Sequence, residues 1–305
     1  MNINHITTFF LFVALLFQSC ATSYKYSYEE ENAPLFVGDY IDRKLICAPG
    51  DNPSIKVVSF NIEFSQNIDE AIELLKQEPL VDADVILLQE MDETGTDSIA
   101  KCLNMSYVYY PAIFHPKHGQ NVGNAVLSKW KISESSKIKL PHPSSYPAPM
   151  KAKSYVFRKT ATVAEIEIYG DLIVFASTHA AAFNTTVKKR EFAKALASEI
   201  QDSEVAYAVV GGDFNSMGRA DIDATVSPFI SSSFLWASQF LGMTISTKKP
   251  ILNFFPTEAF QLDHLFVKGM CINEMGKVNQ IGVSDHLPIW AEMEIKEKYI
   301  TKSGE

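Results

Sequence analysis

The chain has 305 residues, 47% of them hydrophobic and 21% charged, which excludes an intrinsically disordered chain and leaves material for one large buried core. Its 36 acidic residues outnumber 27 basic ones for a formal charge of −9, so any nucleic-acid contact needs a local basic face rather than bulk attraction. The four cysteines, Cys20, Cys47, Cys102 and Cys271, are too few for a disulfide-built miniprotein or a zinc ribbon with paired CxxC.

The first element is an uncharged apolar run, Phe9–Phe17. It is far shorter than the roughly 20 residues a membrane-spanning helix requires and has the length of a signal-peptide core. The following Gln18-Ser19-Cys20-Ala21 resembles the lipobox of bacterial lipoproteins. That resemblance implies cleavage before Cys20, acylation of Cys20, and a lipid-anchored place in the cell envelope, periplasmic or at the cell surface. An ordinary cleaved signal, with secretion, is the alternative. Residues 1–19 are thus expected as signal and 20–34 as lipidated cysteine and polar tether, with Glu29-Glu30-Glu31 before Pro34. In an oxidising envelope Cys47, Cys102 and Cys271 permit at most one disulfide, whose pairing stays open.

Residues 35–300 carry no repeat and no long linker and read as one domain. Short apolar, β-branched runs predict strands at Ile55–Phe60, Val85–Leu88, Ala125–Leu127, Val163–Ile168, Leu172–Ala176, Val205–Val210 and Leu265–Val267. Gly170-Asp171 supplies turn chemistry for an antiparallel hairpin over Thr160–Thr178. Ile68, Ala71, Ile72 and Leu75 make one helical face, ended by Pro79, and Thr186–Gln201 a second. Ser231–Leu241 is a weaker helix candidate. Many strands with interspersed helices predict a layered α/β sandwich.

The chemistry sits where the apolar runs stop. Val57-Val58-Ser59-Phe60 ends at Asn61, Ile86-Leu87-Leu88-Gln89 at Glu90, and Phe175-Ala176-Ser177-Thr178 at His179. Val209-Val210-Gly211-Gly212 ends at Asp213, with Asn215 two residues on, and Ser284-Asp285-His286-Leu287 is flanked by apolar residues. Together with GNAVLS at 123–128 and LDHLFV at 262–267, these stretches resemble the endonuclease/exonuclease/phosphatase superfamily, the deoxyribonuclease I-like fold. The resemblance runs from residue 55 to about 295. It implies a four-layer sandwich of two packed mixed β-sheets flanked by helices, with the active site at one edge.

Phosphodiester hydrolysis requires neutralised phosphoryl oxygens, an aligned water and a stabilised leaving oxygen. Glu90, Asp285 and the amide of Asn61 are hard oxygen donors suited to Mg²⁺ or Mn²⁺, and the resemblance makes Glu90 a metal ligand. It further implies that Asp213 orients or deprotonates water, and that Asn215 and His179 contact the phosphate. His286 would stabilise transition-state charge, oriented by Asp263. Alternating strand positions share a face, so the spacing of Asp213 and Asn215 aims both at one substrate. Asn124 and Arg158 are expected beside the substrate, and His264 reads as structural. His115, His118 and His142 receive no role.

Between Lys129 and Arg190 lie eleven Lys or Arg against four Asp or Glu, which reads either as a phosphate-attracting face or as guarded strand edges. The motifs imply the reaction, not the molecule. The expected partner is a phosphodiester or phosphomonoester, in a nucleic acid or a lipid headgroup, acted on by a monomer that meets membrane only through its anchor. A sphingomyelinase-like or inositol-phosphate phosphatase-like hydrolase is the alternative, with Phe229–Trp236 or Phe254-Phe255 as an apolar docking edge. A non-catalytic binding lipoprotein on the same scaffold is the competing class.

Overall fold

The computed structural model describes residues 26–28, 30–42, 54–141, 158–182, 184–203, 205–246, 260–280 and 282–295. The signal run, Cys20, Cys47, His142 and Phe254-Phe255 lie outside the described residues. The strands are β1 (Phe36–Asp39), β2 (Ser54–Asn61), β3 (Val85–Met91), β4 (Ser106–His115), β5 (Gln120–Ser128), β6 (Ile132–Leu140), β7 (Lys159–Ile168), β8 (Asp171–His179), β9 (Tyr207–Asp213), β10 (Leu235–Trp236), β11 (Asp263–Lys268), β12 (Met270–Lys277) and β13 (Ile289–Ile295). The α-helices are α1 (Ile68–Leu75), α2 (Glu93–Cys102), α3 (Thr186–Asp202) and α4 (Gly218–Ser231), and Glu63–Ser65 forms a single 3-10 turn.

Burial on both faces of the strands sets the layering. In β2, Ile55 and Val57 enter one apolar core while Val58 and Phe60 enter another, the period-two pattern of a strand covered on both sides. The first core lies between two sheets, where Val85 and Leu87 of β3 meet Ile173 and Phe175 of β8 and Val209 of β9. The second packs Ile72 and Leu75 of α1 and Ile99 of α2 on the outer face of one sheet. The third packs Phe192 and Leu196 of α3 and Ile222 and Phe229 of α4 on the outer face of the other. The result is the helix, sheet, sheet, helix sandwich expected from the sequence.

Strand order is β1-β4-β5-β3-β2-β13-β12 in the seven-stranded sheet and β10-β11-β9-β8-β7-β6 in the six-stranded one. Each sheet contains one parallel pair, β2 with β3 and β8 with β9, and antiparallel neighbours elsewhere. Parallel pairing demands a crossover, supplied by α1 in the first case and α3 in the second. Ligand chemistry in such sheets collects beyond the carboxyl ends of parallel strands, and here both parallel pairs end at the same rim. Gln89 Nε2 donates to Ser177 Oγ at 2.9 Å, and Ser177 Oγ donates to the Leu88 carbonyl at 2.8 Å. These bonds tie β3 to β8 beside that rim.

The Thr160–Thr178 hairpin forms as expected, with Ile168 opposite Asp171. Helix α1 spans the expected face, but Asn67 does not cap it; its Nδ2 donates to the Val283 carbonyl at 2.8 Å instead. The expected helix over Ser231–Leu241 is absent. Residues Ile222, Val226 and Phe229, at helical spacing, place α4 earlier, and Ser233 in the left-handed region turns the chain into β10. Phe229 and Phe234 are buried against Phe266 and the helices, so they form core and not a docking edge. The basic segment makes no single face among the described residues: Lys137 and Lys189 are buried, while Lys139 is exposed on the edge strand β6. Cys102 and Cys271 are free thiols, and no described helix is long and apolar enough to cross a membrane.

Gly212 is fixed by packing at the end of β9. A Cβ there would lie 1.9 Å from the Thr178 carbonyl oxygen of the paired strand. Gly212→Ala is therefore expected to lower stability by at least about 3 kcal/mol, read as a shifted urea midpoint at unchanged slope.

Candidate active site

Six separate chain segments deliver polar side chains to the shared rim. Asn61 ends β2, Glu90 lies near the end of β3, His179 ends β8 and Asp213 ends β9. Asn215 follows two residues later, Asp263 opens β11, and Asp285 and His286 immediately precede β13. The expected residues thus come together from positions more than 200 apart in the chain.

Asp213 is the hub. Its Oδ2 accepts from Asn61 Nδ2 at 3.2 Å and Asn215 Nδ2 at 3.0 Å, and its Oδ1 from the Asn215 backbone N–H at 2.8 Å. His179 Nε2 lies 3.3 Å from Asp213 Oδ2 and 3.7 Å from Glu90 Oε1. His286 Nε2 lies 3.6 Å from Asp213 Oδ2, while its Nδ1–H donates to Asp263 Oδ2 at 2.9 Å. Asp263 Oδ2 also accepts from Thr244 Oγ1 at 2.6 Å. The loop bearing His286 is held by Ser284, whose Oγ donates to the Asn61 carbonyl at 2.7 Å and accepts from the His286 N–H at 3.1 Å.

Burial and charge set the proton affinities. Loss of solvent, then the Asp213 charge, pushes the Glu90 carboxyl up to about 7. Burial likewise raises Asp213 to about 6, with the His286 charge opposing and the Asp263 charge adding. For His286, burial disfavours the cation, but Asp263 and Asp213 outweigh it and hold the imidazole well above its ordinary range. His179 goes the other way: burial, Lys159 and His286 hold it well below, so it is a neutral imidazole.

Two backbone outliers mark the site. Glu90 has φ 56° and Asn215 φ 51°, left-handed conformations that cost non-glycine residues about 1–3 kcal/mol each and persist where surroundings impose them. Glu90 occupies a bulge where the register of β3 against β5 shifts between Leu88 and Met91. Asn215 is held by Lys189, whose Nζ donates to the Asn215 carbonyl and pairs with Asp221 at 2.9 Å.

Sequence reasoning passes over three participants. Glu63 takes a backbone hydrogen bond from Asp285, and burial and the Asp285 charge raise its carboxyl. Lys159 is a half-buried lysine near Glu90 and Asp213; burial lowers its proton affinity while both carboxylates oppose that. Lys189 acts through the Asn215 backbone. Glu63 stands two residues beyond the strand-end Asn61, and the basic segment contains both lysines, but no spacing separates them from solvated neighbours.

Asn124 and Arg158 line a recess next to Glu90 and His179. Asn124 Nδ2 donates to the Thr160 carbonyl at 2.9 Å, so part of its amide is spent on backbone. His264 is structural as expected. Trp236 Nε1–H donates to its Nδ1 at 3.1 Å, leaving Nε2–H to meet Ser216 Oγ at 2.7 Å, and burial drives the imidazole down to about 3. This tautomer cannot activate Ser216 as a nucleophile.

Solved structures of the same fold include an endonuclease/exonuclease/phosphatase family protein from Bacteroides thetaiotaomicron, at TM-score 0.60 and 16% identity, covering 81% of this chain and 99% of that one. A mannosyl-6-phosphatase from the same organism is similar at TM-score 0.59 and 18% identity, covering 78% and 99%. D. rerio TDP2 complexed with a single-strand DNA product is similar at 0.60 and 13%, covering 79% and 98%. No curated protein matches. The family model of the Endonuclease/Exonuclease/phosphatase family matches residues 58–286, which takes in every rim residue described above. The chain belongs to that family.

Proposed function

We propose that the chain is a divalent-cation-dependent hydrolase of phosphodiester bonds. The observation that carries this reading is the convergence of Glu63, Glu90, Asp213, Asp263 and Asp285, which among the described residues outnumber the basic groups His286, Lys159 and Arg158 beside them. Of these carboxylates Asp213 and Asp263 are buried and Glu90 nearly so, and crowding them together is costly unless a further cation offsets their charge. Asn61, Glu90 and Asp285 offer the oxygen donors that suit Mg²⁺ or Mn²⁺. Bound there, the ion would neutralise phosphoryl oxygens and acidify water. Ligand-capable atoms of Asp213, Asp263 and His286 also lie within 4.8 Å of one another. Because His286 Nδ1 is committed to Asp263 at 2.9 Å, that trio reads as a hydrogen-bonded Asp263–His286 pair with Asp213 in ion-pair reach at 3.6 Å.

The protein's own groups divide the remaining work. Asp213 takes the proton of the water that attacks phosphorus, its carboxyl near 6 suiting a base at neutral pH. Asn215 and neutral His179 bind non-bridging phosphate oxygens, and the imidazolium of His286 meets charge as the phosphorus–oxygen ester bond breaks. Asn124 and Arg158 flank the substrate. We place the enzyme in the cell envelope, anchored through acylated Cys20; labelling with radioactive palmitate should mark the native chain and not Cys20→Ala. Hydrolysis of a panel of plasmid DNA, RNA, sphingomyelin and inositol phosphates should vanish in EDTA and return with Mg²⁺ or Mn²⁺. Turnover of phosphomonoesters alone would remove the diester half, and no turnover at all would leave a binding protein.

A further inference from the structure

A small apolar cluster belongs to none of the three cores. Ala112, Ile113 and Val122, from β4 and β5, are buried with Phe64 packed against them. Together with Phe64 they form the apolar part of the lining of the recess that Glu90, His179, Arg158 and Lys159 also line. Core packing does not require apolar residues at the mouth of a polar site, so the wall calls for another account. The recess is about 160 Å³, on the order of the apolar cavity volume that accommodates one benzene.

Phe64 is put there at a cost. Glu63, Phe64 and Ser65 have φ of 41°, 57° and 56°, three successive non-glycine residues in the left-handed region. Gln120 Nε2 donates to the Phe64 carbonyl at 2.8 Å, and Ser65 Oγ accepts from the Asp92 N–H at 3.0 Å, so both ends of the turn are pinned. His118 stacks on the Phe64 ring at 4.2 Å, and His115 stands edge-on to it at 5.4 Å. Burial, with Lys117 nearby, lowers the proton affinity of both imidazoles, keeping this wall uncharged. Strain that the surroundings enforce beside a reaction centre is a mark of function.

We propose that this recess is a specificity subsite for a single apolar ring carried on the scissile phosphate, with Arg158 and Lys159 meeting the phosphate's own charge. The inference rests on the phosphoesterase reading above and narrows it to compact, ring-bearing phosphoesters. A duplex backbone cannot enter a pocket of one-ring size, so double-stranded DNA is a poor substrate.

The test compares phenylphosphonate with methylphosphonate, titrated calorimetrically into the full chain in Mg²⁺, alongside turnover of bis-p-nitrophenyl phosphate. The native chain is expected to prefer the phenyl compound by at least about tenfold, the worth of burying one ring. Val122→Trp, which fills the recess, and Phe64→Ala, which strips its wall, should each cut that preference below about threefold. If one variant fails to fold, the other decides. Equal affinities in the native chain, or a preference that survives both substitutions, overturns the subsite while hydrolysis stands. Absence of any phosphoester hydrolysis overturns the reading beneath it, and the subsite with it.

Discussion

Glu90→Gln is expected to abolish turnover and at the same time to stabilise the metal-free fold. The carboxylate offers a hard, charged ligand where Gln offers a neutral one, and losing that differential stabilisation of the transition state should cost roughly three orders of magnitude in kcat. The stability effect has the opposite sign because the wild-type charge is buried beside Asp213 without a full counter-charge. Its folded-state proton affinity, near 7, exceeds the ordinary carboxyl value of 4.5, so the penalty is absent below about 4.5 and grows until pH passes about 7. In EDTA the glutamine variant should therefore match the parent near pH 4 and exceed it by on the order of 1 kcal/mol near pH 8. Urea unfolding at the two pH values reads this directly. Equal stability at pH 8 would mean that Glu90 is already compensated by neighbouring residues, and the case for a bound cation would weaken accordingly.

The rim was legible because strand-end chemistry survives without knowledge of packing. An apolar run that stops at Asn61, Glu90, His179 or Asp213 states both the strand and the group it presents, and Asp213 with Asn215 states a shared face. What required the fold were groups whose meaning comes from long-range contacts. Lys159 looks like any strand-edge lysine until β7 places it opposite Glu90 and Asp213. Lys189 looks like one member of the basic run Lys188-Lys189-Arg190 opening α3 until its Nζ reaches the Asn215 carbonyl. The recess depends on a left-handed turn at Glu63–Ser65, where neither glycine nor asparagine announces the conformation. Helix α2 carries Thr94, Gly95 and Thr96, poor helix formers that masked it, and it depends on Asp92, whose carboxylate accepts from the Gly95 N–H at 2.7 Å. Strand β6 alternates polar residues on a sheet edge and offered too little apolar signal.

Asp263→Asn tests whether His286 works as an oriented cation or merely as a polar lining. Asp263 Oδ2 accepts from both His286 Nδ1 and Thr244 Oγ1, and its Oδ1 is buried without a hydrogen-bond partner among the described residues. The carboxylate thus directs its charge at the imidazolium through one oxygen, fixing the ring orientation that presents Nε2–H toward Asp213. An asparagine keeps the shape, removes the charge and can present an N–H where an acceptor is needed. Turnover should fall by roughly 10²–10⁴ in kcat with KM changed little, since charge stabilisation during bond breaking is lost while ground-state contacts through Asn215 and His179 persist. Thr244→Val removes the other donor to the same oxygen, and with it the acceptor of the Leu262 and Asp263 N–H groups, so it lowers stability, but it leaves the Asp263 charge in place and its loss in kcat should stay within about tenfold. If the two substitutions cost the same in kcat, or if Asp263→Asn acts mainly on KM, then Asp263 serves the packing of the loop between β12 and β13 and the imidazolium role assigned to His286 fails.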